Sequence, residues 1–420
     1  MKTDDSNDIL TKELRVLNVS SYDLNSSKFN GYDWISALKL RGVQSALIVL
    51  HKQSLSPEVY ELTNRSRIQK FLVKLINRIN KKFSIYNGRV LGAKNLLTSK
   101  VYKKADIIHL HIILDGTLDA KTILKVCQEK KVIWTWHDPS PTTGHCVTPM
   151  DCFEWRKNCS SCPDLERPIS VPSIRSLASV DQKLKMALAA SVIHVSSNWM
   201  LDLVSSHPQF SSIPLLKIPF GLDSKVFYPT NSNSLRKKLG ISDSDFVIGF
   251  RQTSDVYKNM RFILRFLDTV EISHQLTVIT IGEIGLLERF KKNSRFTFFE
   301  IPWTNSDEEL RDYYNSLSVF ISPSRFESFG FMPLEAMACG TRVIGVAESS
   351  VAEICELKDF GWIVQDGDVD ELSKLITEIS SQDFTKLKQS EMVHFVQSKY
   401  DIDVFIDQLA SVYENMLDSQ

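Results

Sequence analysis

The chain has 420 residues, too many for one ordinary hydrophobic core, so two domains of roughly 200 residues are the first expectation. Its 43% hydrophobic and 24% charged residues are those of a soluble globular protein, and Lys+Arg balances Asp+Glu at 50 each. That balance excludes a protein that holds nucleic acid through its overall field, so no nucleic-acid partner is expected. The N-terminal run "MKTDDSNDILTKELRV" lacks the apolar centre of a signal peptide, and the longest apolar runs, such as "SALIVL" and "VITIG", are strand-sized. A cytoplasmic protein is expected, with peripheral contact to the inner face of the membrane left open.

In chain order, "LRVLNVS" (Leu14–Ser20) reads as a strand, "DWISALKLRG" (Asp33–Gly42) as a helix closed by glycine, and "QSALIVLH" as a second strand. "RSRIQKFLVKLINRINKKF" (65–83) is a basic amphipathic pattern. Ile68, Phe71, Leu72, Leu75, Ile76 and Ile79 recur at helical spacing, and the segment contains no acid. "ADIIHLHI", "KTILKVCQEK", "KVIWTWHD" and "AASVIHVSSNWM" continue the alternation of strand and helix, the last with a Ser-capped helix start. "SSIPLLKIPFGLDSKVFYP" (Ser211–Pro229) is dense in breakers and reads as the passage between domains.

A second series follows: "DFVIGF", "NMRFILRFLDTV", "QLTVITIG" and "LSVFISPS", then the glycine-led helix "GFMPLEAMACG" with Pro333 in its first turn. "TRVIGV" and "GWIVQDG" are short strands, and "DVDELSKLITEISS" is a helix begun by an acidic cap. The fold class is α/β, with two doubly wound Rossmann-like domains facing across a cleft. The expected division is 1–210, 211–394, and a C-terminal helix over 395–420 that packs back on the first domain.

In such sheets ligands sit beyond the carboxyl ends of the strands. Arg251 follows "VIGF" and Lys258 lies seven residues on, two cations suited to a diphosphate, although two solvated surface charges would read the same. In "SRFESFGFMPLEAMACG" (Ser324–Gly340), Glu327 precedes a turn at Gly330 and Glu335 falls inside the following helix. The "SFG" turn can present backbone N–H groups at a helix start. His137 and Asp138 follow a strand in "WTWHDPSP", and His109 and His111 share one face of "DIIHLHI".

These motifs together resemble the retaining, nucleotide-sugar-dependent glycosyltransferases of the two-Rossmann-domain (GT-B) type. "ESFGFMPLE" looks like their two-glutamate signature and "GFRQTSDVYKN" like their phosphate segment. "KIPFGLDSKVF" resembles their Pro-Asn-Gly segment, with Phe220 where Asn is usual. "SSNWM" after "VIHV" is similar to the strand end that precedes the first domain's last helix. The resemblance implies a nucleotide diphosphate sugar as donor and no catalytic metal. It implies that Arg251 and Lys258 bind the diphosphate and that Glu335 holds the ribose. Glu327 and the amides around Phe329, Gly330 and Phe331 would hold the donor sugar. His137 would orient donor hydroxyls or the leaving group, with Asp138, His111 and Gly31 as acceptor-side candidates. Two departures stand out: "AESSVAEI" (Ala347–Ile354) replaces the usual glycine pair, leaving Glu353 either facing the site or on a helix surface, and Asn30–Gly31 keeps one glycine where two are common.

Cys146, Cys152, Cys159 and Cys162 fall within "GHCVTPMDCFEWRKNCSSCP" (Gly144–Pro163). In a reducing compartment they read as a structural zinc site or as thiols, with His137 or His145 able to replace one cysteine. "WHDPSPTTGHC…C…WRKNCSSCP" resembles a bacterial surface-polysaccharide subgroup that includes colanic-acid-type transferases. The expected function is therefore transfer of a hexose-type sugar, UDP- or GDP-linked, to a growing, lipid-linked glycan. Segment 65–83 would then touch an anionic membrane surface, or else pack on the sheet with a solvated basic face. The alternatives are a soluble sugar acceptor, an inactive scaffold of the same fold, and a nucleotide-sugar epimerase.

Overall fold

A computed structural model describes residues 13–62, 90, 92–114, 116–163, 176–230, 234–271, 275–355, 360–381 and 386–418. The basic segment 65–83 lies outside the described residues. In the first domain the strands are β1 (Leu14–Tyr22), β2 (Val43–His51), β3 (Val59–Glu61), β4 (Ile107–Leu110), β5 (Lys131–Thr135), β6 (Val192–Val195) and β7 (Leu215–Lys217). They form one parallel sheet in the order β3-β2-β1-β4-β5-β6-β7. The second sheet contains β8 (Val247–Gln252), β9 (Leu276–Gly282), β10 (Phe296–Pro302), β11 (Val319–Ser322), β12 (Arg342–Val346) and β13 (Gly361–Val364). Its order is β10-β9-β8-β11-β12-β13, again all parallel. With helices on both faces the inner strands are buried on both sides, which is why "VIGF", "VFIS" and "IIHL" are apolar runs instead of alternating ones.

Strand order reverses between β1 and β4 in the first sheet and between β8 and β11 in the second. Those two switch points open crevices at the carboxyl ends of the strands. The loops leaving β1, β4 and β11 carry Lys28, His111 and Glu327, and Arg251 lies inside β8, one residue before its carboxyl end.

The first sheet runs past residue 210. β7 pairs with β6 through Ile193–Leu215 to Val195–Lys217, between Pro214 and Pro219. Both prolines read as breakers, but β7 is a three-residue strand at the sheet edge, where proline is tolerated. The passage to the second domain is therefore Ile218–Asp223. It runs beside the returning chain: Leu222 N–H donates to Tyr400 O at 2.7 Å, and Ile402 N–H donates to Leu222 O at 2.9 Å. A side chain at Gly221 would meet Ile402 Cα at 2.5 Å, so only glycine allows this approach. The last helix, Ile402–Asp418, lies against the first domain, where Arg41 pairs with Asp403 at 2.9 Å and Asp407 at 2.6 Å.

Candidate functional site

The second-domain face is built at the β8/β11 switch point. Arg251 sits in β8 near its carboxyl end, with its guanidinium 4.5 Å from the centroid of Trp303 and its Nε buried without a partner. Such an atom suits an anionic ligand, because a guanidinium N–H left unbonded in the interior is costly. Lys258 ends a short turn, and Asn259 in the left-handed region (φ 57°) starts the helix Met260–Thr269. Lys258 Nζ lies 2.5 Å from Glu327 Oε2, both side chains about one-fifth exposed. The Glu327 carbonyl accepts from Ser350 N–H at 3.2 Å and Ser350 Oγ at 2.6 Å. "AESS" thus braces the Glu327 loop, and Glu348 (φ 66°) adopts the left-handed turn that glycine would favour.

Gly330 is the N-cap of Phe331–Ala338 with φ 92°, and a side chain there would meet Ile354 and Val351 at 3.3 and 3.4 Å. Glu335 follows one turn later and is buried. Its Oε2 accepts from Tyr314 OH at 2.7 Å, and its Oε1 lies 2.8 Å from Lys28 Nζ of the first domain.

On the first-domain side, three buried histidines, His109, His111 and His194, and half-buried His137 converge at the ends of β4, β5 and β6. His194 Nε2 is 2.8 Å from the Ile218 carbonyl, which can only accept, so Nε2 carries the proton and Nδ1 is a lone pair. Thr135 Oγ1 must then donate to His194 Nδ1 (2.8 Å) and accept from His109 Nε2 (2.6 Å). Tyr413 OH therefore donates to His109 Nδ1 at 2.7 Å. One carbonyl fixes every proton along this path, and His109 and His194 serve as neutral struts.

The same reasoning settles His111. Both Asn18 Nδ2 hydrogens are used by Ser45 Oγ (2.9 Å) and Ala46 O (3.2 Å), so Asn18 Oδ1 accepts from His111 Nε2 at 3.0 Å. His111 Nδ1 is left as a buried, unpartnered lone pair, and His137 Nε2 is likewise buried without a partner. The two rings are 5.7 Å apart and line one small cavity with Asp138. Gly31 (φ 94°) makes room for Asn18, since a side chain there would meet Asn18 Cγ at 2.5 Å. Gly31 and His111 thus belong to one construction. Burial, and next the neighbouring His194, push His137 down to about 3, so it is neutral at physiological pH. Burial pushes the Asp138 carboxyl up, opposed by the Ser140 N–H that it accepts at 2.8 Å. Buried Lys183 donates to the carbonyls of Ser140 (2.7 Å) and Thr143 (2.8 Å), pinning the loop that follows Asp138.

The two faces meet through aromatic rings. Phe220 stacks on His137 (5.7 Å, 3°) and contacts Phe29, Phe329 and Phe331. Phe29 bridges His137 (5.0 Å) to Phe331 (5.9 Å). Where the resembled family usually has Asn, this chain has placed the hub of the domain junction. A cavity of about 750 Å³ opens between the domains, lined by Arg251, Glu335, Phe331, Lys28 and Trp303 among others. Glu353 turns out to be neither a site acid nor a surface acid. Its carboxylate crosses the cleft to accept Asn198 N–H at 3.0 Å and Trp199 N–H, capping the helix Asn198–Ser205 of the first domain.

The cysteine-rich loop also crosses the cleft: Asp151 pairs with Arg325, two residues before Glu327. The four expected zinc ligands are not gathered, and among the described residues no group of three or more His, Cys, Asp or Glu is arranged to hold a metal ion. The reason is local. Cys159, at φ 57°, turns into the first-domain core beside Trp155, where its Sγ accepts Gly144 N–H at 3.2 Å. His145 Nε2 instead approaches Cys162 Sγ at 3.0 Å.

Lys28 and Trp303 escaped the sequence reading. Trp303 follows the edge strand β10, "FTFFEIP", which the alternation did not announce, and an aromatic at a strand end was the available signal. Lys28 had no signal, because its partner Glu335 is 307 residues away.

Known proteins share this architecture. Residues 231–404 match the family described as Glycosyl transferases group 1. The provisionally named colanic acid biosynthesis glycosyl transferase WcaC of Escherichia coli (strain K12) is 19% identical over 355 residues, covering 80% of this chain and 83% of that protein. Alignments to the next curated relatives span roughly half of those proteins or less. Sucrose-phosphate synthase from Thermosynechococcus elongatus superposes with a TM-score of 0.68 at 16% identity, over 97% of this chain and 100% of that chain. Anabaena Alr3699/HepE, solved in complex with UDP-glucose, gives 0.62 at 16% identity over 96% and 100%. The structural likenesses establish the GT-B architecture. Among the described residues no helix is long and apolar enough to cross a membrane.

Proposed function

Starting from a glycosyltransferase of the GT-B fold, we propose that this chain moves a hexose-type sugar from a nucleoside diphosphate sugar to a growing, lipid-linked surface polysaccharide, with retention at the anomeric carbon. One observation carries the donor reading: Arg251, with its unpartnered Nε, and Glu335 line the same interdomain cavity. The diphosphate sits against Arg251 and Lys258, the ribose at Glu335, and the base against the face of Trp303. Glu327 and the turn Phe329–Phe331 hold the sugar, with neutral His137 across the cleft.

As the bond from the anomeric carbon to the phosphate oxygen breaks, charge develops on the diphosphate, and Arg251 and Lys258 offset it. The acceptor hydroxyl adds on the same face, and its proton passes to the departing phosphate oxygen. Carboxylate–hydroxyl bonds of roughly 1.5–3 kcal/mol each orient the sugar, and positioning supplies much of the remainder. The UDP-glucose complex of HepE and the colanic acid assignment of WcaC support a UDP-linked donor and a surface-polysaccharide acceptor. Work at the inner face of the cytoplasmic membrane, with segment 65–83 as the contact, belongs to the same reading.

A donor screen tests it: UDP- and GDP-hexoses are supplied with and without membrane lipid extract, and release of nucleoside diphosphate is followed. Lipid-stimulated release and a glycolipid product with unchanged anomeric configuration are expected. Full activity on free sugars without lipid would replace the lipid-linked acceptor by a soluble one. Turnover without any acceptor, giving an isomerised nucleotide sugar, would overturn the transferase reading.

A further inference from the structure

Lys28 belongs to the first domain, in the short turn Ser27–Phe29 after β1, yet both carboxylates in ion-pair contact with its ammonium are in the second domain, while Asp33 of its own domain feels its charge from farther away. Nζ lies 2.8 Å from Glu335 Oε1 and 2.8 Å from Asp307 Oδ1, and 4.7 Å over the ring of Phe227. The backbone beneath is fixed, because the Lys28 carbonyl accepts Trp34 Nε1–H at 3.1 Å and the next residue, Phe29, is wedged between His137 and Phe331. Glu335 is 3% exposed and its other oxygen is held by Tyr314. Lys28 is thus the counter-charge of a buried carboxylate, supplied across the domain junction. Lys28 and Asp307 also form a shared wall between the donor cavity and a second cavity of about 690 Å³ lined by Gly221, Leu222 and Phe227.

We propose that Lys28 is a displaceable latch on the ribose seat: the ribose hydroxyls of the donor take over Glu335 from the ammonium, which stays on Asp307, and Lys28 returns to Glu335 to expel the nucleoside diphosphate product. This rests on the assignment of Glu335 to the ribose. Two charge-assisted bonds to one lysine can be exchanged singly, because Asp307 retains the ammonium while Glu335 changes partner. The exchange links nucleotide release to the contact that joins the domains, a step that often limits turnover in enzymes that close over their substrates.

The full chain is titrated calorimetrically with UDP, GDP and ADP, and the tightest is compared with its 2′,3′-dideoxy form, which cannot bond Glu335. Lys28→Met should bind the ribonucleotide about tenfold more tightly, as expected when a competitor worth roughly one charged hydrogen bond is removed. It should bind the dideoxy form as the wild type does, and show slower turnover with stronger product inhibition. Lys28→Arg, which keeps the cation, should restore wild-type values. An equal change for both nucleotides, or unchanged or weaker ribonucleotide binding by Lys28→Met, overturns the latch. Glu335→Gln separates the two claims: if it still prefers the ribo form as the wild type does, the ribose assignment itself is wrong. Melting curves of each variant exclude a folding defect as the source of any change.

Discussion

Replacement of His194 by Gln examines the neutral histidine path directly. His194 is fully buried, its Nε2–H is committed to the Ile218 carbonyl, and burial pushes it from an ordinary 6.5 down to about 4. Protonation would turn Nδ1 into a second donor facing Thr135 Oγ1, whose own proton is already directed there. Between about pH 6.5 and 4 the unfolded chain binds this proton and the folded chain does not, so stability falls as pH falls through that window. At about 1.4 kcal/mol per tenfold change in proton affinity, the span corresponds to about 3 kcal/mol of stability, present above pH 6.5 and lost by pH 4.

Asp138, raised by burial, titrates with the opposite sign; the difference between wild type and His194→Gln cancels it and leaves His194 together with its influence on His109, His111 and His137. Trp34, Trp134 and Trp136 are buried in the first domain, so tryptophan fluorescence in urea follows its unfolding. The variant should be destabilised at pH 7.5, and its deficit should shrink by about 3 kcal/mol at pH 4.5. A deficit that is constant with pH would refute the reasoning. So would a ring-carbon NMR signal, assigned by its loss in the variant, that titrates near 6.5.

Lys258→Met should lower transfer at least about a hundredfold, near the effect of removing one charge-stabilising donor, with an unchanged circular dichroism spectrum. Normal turnover would remove Lys258 from the site. Phe220→Asn installs the residue usual in the resembled family but leaves a polar amide among Phe29, Trp34, Phe329 and Phe405, and a loss of about 3 kcal/mol is expected in thermal unfolding. Unchanged melting would show that the ring is not the hub of the junction. Gly330→Ala forces a side chain into φ 92° against Ile354 and Val351, so a loss of about 1–2 kcal/mol and weaker donor binding should appear together in melting and in KM. Wild-type behaviour in both would show that the turn relaxes freely.

The doubly wound sheets were legible because buried parallel strands are written as apolar runs and their helices carry local caps; Ser197 accepts Met200 N–H, and Asp368 accepts Glu371 N–H. The second-domain motif was legible because Arg251, Lys258, Glu327 and Glu335 lie close in sequence to strand and helix ends. What could not be read was whatever joins the domains. Lys28–Glu335, Asp151–Arg325 and the Glu353 cap each link residues more than 150 positions apart, and no local pattern encodes such a pair. Phe220 was noticed as a departure, but its purpose depends on rings brought in by other segments. The edge strand β7 was hidden by its flanking prolines, and the cysteine spacing did not reveal that Cys159 turns inward.

The bridge between Leu222 and Asp401 places the departure and the return of the second domain side by side on one edge of the first. In topological terms the second domain is an insert, spliced into an α/β domain whose own chain resumes at Ile402. A protein with such an insert can exchange the whole second domain, from Leu222 to Asp401, by two cuts at adjacent points. The histidine path, the small cavity at His111 and His137 and the terminal helix would stay on the retained part, with Lys28 and the Asn198 helix start as the contacts a new insert must match.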